Sequence, residues 1–320
     1  MIYVGIDVSK DKHDCYIVNS DGKVLADVFT VENNPEGFDL LFLRLKSVAR
    51  DLDNVKVGLE ELKSLSRYRF DKVRQRAKLK QSVSRLVTIL FPELENLVPT
   101  LHIASVYALL AELPGAKQAA SCHLTHLTNL LSTASRGHYG RSKAIELRNA
   151  ARRSIGSAMP AKSLELQHTI RLIRELDAEI SEIETALKQI IDQIASPILT
   201  IPGISYRMGA MILAEIGDFS RFDSPDKILA YAGLSPSTYQ SGKLDNAYAH
   251  MEKRGSRYLR YALYNAAKYV CHWDASFSAY LAKKRAEGKH YNVAISHAAK
   301  KLVRLIFALQ RSGQPYCPAA

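Results

Sequence analysis

Hydrophobic and polar residues alternate in short runs over the first sixty positions, a pattern typical of half-buried β-strands. After the third run, apolar residues recur at helical spacing, and a further alternating run follows. The predicted elements are strands at 3–9, 13–19 and 23–31, a helix at 38–52 and a strand at 54–60. This β-β-β-α-β order is the start of an RNase H-like sheet, which would continue with further alternating strands and helices.

That continuation does not follow, because Glu61 begins a long basic stretch with helical composition. Nine cations occur within residues 63–85, more than one helical face can hold, and acidic neighbours are few: Glu61 and Asp71. This density favours binding to a phosphate backbone, with a solvated or ion-paired helix as the alternative. The predicted phosphate contacts are Arg67, Arg69, Lys72, Arg74, Arg76, Lys78 and Lys80.

Residues 162–194 carry apolar residues at alternating spacings of three and four, which is typical of a coiled-coil seam. The seam comprises Leu166, Ile170, Ile173, Leu176, Ile180, Ile183, Leu187, Ile190 and Ile194. A long helix packed within its own chain would show the same pattern. Because charges of both signs alternate on the outer face, we favour a self-association helix and expect a homo-oligomer.

The segment 198–218 resembles a helix-hairpin-helix, with Ile201-Pro202-Gly203-Ile204 between two apolar stretches. Gly203 would let backbone N–H groups approach a phosphate. Two apolar helices edged with Arg and Lys then follow at 254–270 and 291–309. The fold class expected is α+β, with a truncated α/β domain at 1–60, a basic helical region at 61–160, a coiled-coil helix at 161–196 and an α-helical C-terminal domain at 197–320.

The charge balance points to a polyanionic partner. Lys and Arg outnumber Asp and Glu by 44 to 32, for a net charge of +12, and residues 61–160 alone contribute +10 of this excess. Nucleic acid is the leading partner. The four cysteines are too far apart for a zinc site, and no signal peptide or membrane-length apolar run occurs, so we expect reduced cysteines and a cytoplasmic protein.

Three local matches carry a resemblance to a known family: GIDVSK (5–10) with GLE (58–60), LTIPGIS and AEIGDFSRF (199–222), and YAGLSPSTYQSG with KRGSRYLRYAL (231–263). With these, the chain resembles the DEDD transposases of bacterial insertion sequences, RuvC-like DNA recombinases guided by a bridge RNA. The resemblance implies DNA and a structured guide RNA as partners and Mg²⁺ as cofactor. It covers nearly the whole chain, with one break.

The break falls in the metal site that the resemblance implies. Family members carry four carboxylates, and Asp7 and Glu60 match the first two as metal ligands. The other two belong to a K-T-D-x-x-D-A helix with no counterpart here, since residues 61–160 contain a single aspartate, Asp71. The simplest account is a loss between Glu60 and Glu61, and two carboxylates would bind Mg²⁺ weakly.

The resemblance also implies a nucleophile, Ser241, which would attack a DNA phosphate and hold it as a covalent phosphoserine. Gly242 would permit close approach of the backbone. Lys253, Arg254, Arg257 and Arg260 follow closely and could bind phosphate oxygens or form a solvated helix edge. The expected function is therefore a DNA transposase with a weakened metal site. A nucleic-acid-binding derivative without catalysis and a RuvC-like junction nuclease remain as alternatives.

Overall fold

The structure is a computed structural model that describes residues 2–8, 10–19, 23–48, 55–56, 59–235, 240–241, 244–245 and 251–318. Contacts divide the chain into two compact units. The first unit comprises Met1–Arg67 with Ala186–Ala320, and the second comprises Tyr68–Thr185. The domain boundary expected at residues 60/61 falls inside a helix, Leu59–Leu90.

The first unit contains a mixed four-stranded sheet near the N-terminus. Its elements are β1 (Ile2–Val8), β2 (Lys12–Asn19), β3 (Val24–Glu32), α1 (Pro35–Val48) and β4 (Val55–Lys56). The strand order is β3-β2-β1-β4, with β1 antiparallel to β2 and parallel to β4. The predicted β-β-β-α-β order is confirmed, and with it the coarse α+β class.

The alternation of the strands is explained by the helix that covers one face of this sheet. Cys15, Ile17 and Val31 are buried, and they share a core with Leu41 and Leu45 of α1. Because successive strand residues point to opposite faces, the side chains between them lie away from this core. Tyr16, between Cys15 and Ile17, is 47% exposed.

The predicted strand at 54–60 is wrong at its last two residues, Leu59 and Glu60, which are helical. β4 ends at Lys56, and helix α2 (Leu59–Leu90) begins three residues later. Ile2 pairs with Val55, so a strand continued in the same register would have placed residue 60 beside Asp7. Instead, Leu59 to Lys63 combine strong helix formers, and Leu62 is fully buried. Glu60 and Glu61 therefore lie in the first turn of a helix.

The rest of the first unit is mainly helical. Its elements are the end of α8 (Pro160–Ile194), a 3₁₀ turn (Pro197–Thr200), α9 (Tyr206–Ile216), a 3₁₀ turn (Phe219–Arg221), α10 (Pro225–Tyr231), β5 (Gln240–Ser241), β6 (Leu244–Asp245), α11 (Arg257–Trp273), α12 (Ala275–Ala286) and α13 (Tyr291–Ser312). α11 packs against α9, α12 and α13. Buried alanines on α11 and α13, such as Ala266 and Ala298, permit close helix packing.

The second unit is built on the long helices α2 and α8, with shorter helices completing its core. These are α3 (Leu94–Leu97), α4 (Ala104–Glu112), α5 (Ala116–Ser121), α6 (Leu124–Ala134) and α7 (Arg141–Arg152). Ion pairs join Arg69 to Glu184 and Arg85 to Glu165, so the two long helices run antiparallel. Within the described residues, no helix is both long enough and apolar enough to cross a membrane.

The coiled-coil seam is occupied within this unit. Leu166, Ile170 and Ile173 are fully buried and belong to the same core as Leu86 and Leu90 of α2. This part of the seam is therefore covered by its own chain, which corrects the expectation that it serves as the self-association surface. The heptad pattern does not distinguish packing within one chain from association of two chains, because the apolar contacts are the same whether the partner helix belongs to the same chain or to a second copy.

Candidate functional site

The described residues before and after Ser241, 231–235 and 252–256, are joined by backbone hydrogen bonds, and we call this pairing the base. Glu252 N donates to Ser235 O (3.1 Å), Lys253 N to Gly233 O (3.2 Å) and Ser256 N to Tyr231 O (2.9 Å). Beyond this base, Ser241 in β5 pairs with Leu244 in β6 as a short antiparallel hairpin. We call residues 236–251 the Ser241 segment. The side chain of Ser241, and the whole of Gly242, lie outside the described residues.

Two glycines are required at this base by both conformation and space. Gly233 has φ of +66° and Gly255 has φ of +99°, a region that side chains disfavour. A Cβ atom at Gly233 would overlap the carbonyl oxygen of Arg254, and one at Gly255 would overlap that of Tyr231. The two backbone segments of the base therefore approach each other as closely as sterics permit. This close approach fixes where the Ser241 segment begins and ends.

The predicted phosphate-binding cations near the base have different environments. Arg260 points its Nη1 at the carbonyl oxygens of Ala232 (2.9 Å) and Lys253 (3.2 Å), so it ties the base together. Lys253, Arg254 and Arg257 are exposed beside it. The structure thus gives Arg260 a structural role, while phosphate binding by the three exposed cations stays a prediction.

A buried carboxylate, which the sequence analysis did not single out, connects the base to α2. Glu215 on α9 is only 2% exposed and accepts two hydrogen bonds from Arg67, from Nε (2.6 Å) and from Nη2 (3.0 Å). Ser256 Oγ donates a third to Glu215 Oε2 (2.6 Å) and accepts from Leu259 N (3.1 Å) as the N-cap of α11. We call Arg67, Glu215 and Ser256 the Glu215 cluster.

The electrostatics of this cluster favour an ionised carboxylate. Burial acts to raise the pKa of Glu215, but the hydrogen bonds from Arg67 and Ser256 outweigh it, and the pKa lies below its ordinary value. The hydrogen bonds that Arg67 donates to Glu215 in turn raise the pKa of Arg67. Arg67, predicted to bind phosphate, is thus engaged by a carboxylate, and its guanidinium also lies 4.8 Å from the ring of Tyr258.

Sequence signals for the Glu215 cluster existed but were used only for the resemblance. Glu215 lies in AEIGD and Ser256 in KRGSRYL, two of the quoted matches. A glutamate surrounded by apolar helix residues indicates a buried, paired carboxylate. Nothing in the sequence places Arg67 opposite it, because that pairing spans 148 positions.

The ion pairs of α2 change the interpretation of its basic stretch. Arg69 pairs with Glu184 (2.6 Å), Lys72 with Glu179 (2.6 Å) and Arg76 with Asp177. The acidic partners that seemed scarce are on α8, about a hundred residues away in sequence. The remaining predicted contacts are Arg74 and Lys78, which are exposed, and Lys80, which is half-buried.

The need for glycine at position 203 is explained by close packing against α11 and does not require a phosphate site. It has φ of +91°, and a Cβ atom there would lie 2.6 Å from the carbonyl carbon of Tyr269 on α11. The element before it is a four-residue 3₁₀ turn and not an α-helix, so the helix-hairpin-helix comparison holds only for the second arm, α9. A phosphate contact at Gly203 stays a prediction.

The implied metal ligands can be placed only by their backbone. Asp7 lies in β1 and Glu60 in the first turn of α2, but the side chains of both are outside the described residues. In the β1–β2 register Asp7 is directly opposite Asp14, whose carboxylate accepts a hydrogen bond from Thr30 (2.6 Å). The resemblance does not point to Asp14 as a metal ligand. Among the residues described, His, Cys, Asp and Glu form no group of three suited to a metal ion.

Comparisons with known proteins show that two segments of the chain are similar to transposases. Residues 195–282 match the family model described as Transposase IS116/IS110/IS902 family, and residues 4–61 match a second model described as Transposase. The second match ends beside the Glu60–Glu61 junction, and the first covers α9, the base of the Ser241 segment and α11. Both matched segments are therefore of the transposase type.

Curated relatives are similar over parts of their length. An uncharacterized 43.6 kDa protein of insertion element IS110 from Streptomyces coelicolor is 31% identical over 49% of this chain and 36% of its own. An uncharacterized 42 kDa protein of insertion element IS900 from Mycobacterium paratuberculosis is 30% identical over 51% of this chain and 42% of its own length. The pilin gene-inverting protein of Moraxella bovis is 28% identical, over 47% of each. The chain thus spans less than half the length of these relatives, and the comparisons confirm the resemblance at the level of IS110-type transposases.

Proposed function

We propose that this protein is a DNA recombinase of the transposase class that cuts and rejoins DNA through Ser241. The observation that carries the proposal is the anchored base of the Ser241 segment, held by three backbone hydrogen bonds, by Arg260 and by the Glu215 cluster. Such anchoring fits a nucleophile that must be held in a defined place relative to a bound phosphate. The matched transposase segments support the same function.

The chemistry is an exchange of phosphoester bonds. The Ser241 oxygen forms a bond to a DNA phosphorus as the serine gives up its proton, and the leaving strand departs with a hydroxyl end. Attack by the hydroxyl of another strand reverses this step and joins new DNA. The exposed Lys253, Arg254 and Arg257 beside the base would offset charge on the phosphate oxygens.

Mg²⁺ completes the proposal as a weakly held cofactor. Asp7 and Glu60 would hold it, and Asp14, the register partner of Asp7, adds a carboxylate to the donor set. Oxygen ligands of this kind suit Mg²⁺, which would stabilise the charge that develops on the phosphate. We attribute target choice to a structured guide RNA, and we propose a homo-oligomer in which the carboxylates of one copy serve Ser241 of another.

The test is a covalent adduct with DNA. The full-length protein is incubated with Mg²⁺, its guide RNA and a duplex that carries the sequences flanking its coding region, and denaturing electrophoresis detects protein joined to DNA. We expect an adduct with the wild-type protein and with Ser237→Ala, a matched serine in the same segment, but none with Ser241→Ala.

A second candidate function is nucleic-acid binding without cleavage. The replacement of the predicted strand end by a helix at Glu60 favours it, since the implied paired aspartates are also missing. Retention of duplex without any adduct, at high concentrations of folded protein, would support this candidate. Cleavage that survives in Ser241→Ala but disappears in Asp7→Ala would instead indicate a junction nuclease.

A further inference from the structure

One face of α11 presents aromatic rings and cations to solvent. Tyr261, Tyr269 and Trp273 are 40%, 58% and 67% exposed. At about 100° per residue, these rings and their polar neighbours fall within about 160° of the helix circumference. We call this set the α11 face: Arg257, Tyr261, Lys268, Tyr269, His272 and Trp273. The opposite side of the helix, which includes Leu259, Leu263 and Val270, is fully buried.

The charge of this helix is of one sign. Arg257–Trp273 contains Arg257, Arg260 and Lys268 and no Asp or Glu. The cations lie against rings: the Arg257 guanidinium is 4.7 Å from the ring of Tyr258, and Lys268 Nζ is 4.7 Å from that of Tyr264. The ring of His272 contacts Trp273 edge-on, with centroids 5.0 Å apart. Rings interleaved with cations are complementary to a strand of bases and phosphates.

The rings are displayed on a rigid element. Asp274, directly after Trp273, caps α12 by accepting from Phe277 N (2.9 Å) and also accepts from Tyr316 OH (2.6 Å). At the other end, Ser256 joins α11 to Glu215. Because both ends are tied, little conformational entropy would be lost when a ligand stacks on this face.

We propose that the α11 face binds an unpaired DNA strand, with bases stacked on Tyr269 and Trp273 and phosphates beside Arg257 and Lys268. The inference rests on the proposed function, which makes DNA the substrate. It also rests on continuity, since α11 begins at the base of the Ser241 segment. From Arg257 to Trp273 the helix extends about 24 Å, enough for several nucleotides. Strand exchange requires bases to unpair, and this face would hold them beside the site of cleavage.

The chain offers a direct reporter for this test. Trp273 is its only tryptophan, so emission excited at wavelengths that tyrosine does not absorb reports on the α11 face alone. The full-length protein is titrated with oligodeoxythymidylate, with a duplex of equal length and with oligouridylate. We expect saturable quenching by oligodeoxythymidylate at concentrations below those needed for the other two. Tyr269→Ala should weaken this binding about 5- to 150-fold, the loss of one stacked base.

A matched control is Tyr16→Ala, which removes a tyrosine of similar exposure from β2 and should leave the titration unchanged. Equal quenching by duplex, tighter binding of oligouridylate or unchanged affinity in Tyr269→Ala would overturn the inference. Emission that changes with protein concentration alone would also overturn it, since the face would then contact a second copy. A Ser241 adduct without quenching rejects this inference only, whereas quenching without an adduct rejects the proposed cleavage only.

Discussion

At the scale of single residues, the Glu215 cluster shows how a buried charge is made tolerable. The carboxylate loses contact with water, and three hydrogen bonds from Arg67 and Ser256 replace it. The two partners are not equivalent, because the side chain of Arg67 is 40% exposed and that of Glu215 is 1% exposed. Loss of the arginine strands a buried charge, whereas loss of the carboxylate leaves a cation that water can reach.

Arg67→Met should therefore destabilise the protein more than Glu215→Gln at neutral pH. We expect a cost of about 1–3 kcal/mol for Arg67→Met, reduced from that of a fully buried pair by solvent screening. The folded-state pKa of Glu215 is lowered, so its contribution to stability is present above the ordinary glutamate pKa of about 4.3 and is lost as the pH falls through the folded value. Urea unfolding of both variants at neutral and acidic pH measures these differences in the free energy of unfolding.

The control for this comparison is Arg85→Met, whose pair with Glu165 is largely exposed, at 64% and 39%. Arg85→Met should lower the free energy of unfolding by less than about 1 kcal/mol. A difference between Arg67→Met and Glu215→Gln that stays constant down to acidic pH would show that the charge of Glu215 is not its cause.

Gly255 offers a second residue-level prediction, for the Ser241 segment. Gly255→Ala would force a Cβ atom against the carbonyl oxygen of Tyr231 at a φ of +99°, so the base of the segment must open. We expect loss of most of the covalent adduct. Gly288→Ala is the matched control, because its φ is +78° but no described atom beyond its chain neighbours lies within 4 Å of its Cβ position. If both variants behave alike in the adduct assay, backbone strain and not the close approach explains the effect.

At the scale of elements, periodicity predicted helices and strands well but not their partners. The alternation at Cys15 and Ile17 predicted a strand with one buried face, which the structure confirms. The spacing of Leu166, Ile170 and Ile173 predicted the long helix α8, but we favoured self-association for it, whereas these residues are buried within their own chain. Similarly, the acidic partners of α2 lie on α8, and a local count of charges could not reveal them. Contacts between distant segments are set by packing, which single-sequence patterns do not encode.

The seam of α8 gives a prediction that separates folding from association. Ile173→Ala should lower the free energy of unfolding by about 2–5 kcal/mol, because it leaves a cavity in the core where a fully buried side chain was packed. Leu172→Ala, the neighbouring residue and 47% exposed, should change stability by less than about 0.5 kcal/mol. Thermal melts at several protein concentrations measure both. A melting temperature of the wild type that rises with concentration and loses this dependence in Ile173→Ala would show that the seam joins two chains.

At the scale of the whole molecule, the sequence indicates the local motifs around the candidate site but not how distant segments come together. Ser241 was proposed from the resemblance and stays a prediction, while the residues that flank its segment form the hydrogen-bonded base. Glu60 was expected at the end of a strand, but the helix-forming residues that follow it continue into α2. The resemblance does not point to Asp14, although the sheet register makes it the partner of Asp7.

The net charge of +12 does not act on nucleic acid as a uniform field. On α2, Arg69 and Arg76 are neutralised by carboxylates of α8, whereas Arg74 and Lys78 are exposed. Each cation that contacts a phosphate adds about 0.9 to the slope of log affinity against log salt for duplex DNA. Arg74→Gln with Lys78→Gln should therefore lower that slope by about 1.8, with stability unchanged. Arg69→Gln should lower stability and leave the slope unchanged. DNA-binding titrations at several salt concentrations measure the slopes. A slope that falls in Arg69→Gln but not in the double variant would place the phosphate contacts on the paired residues.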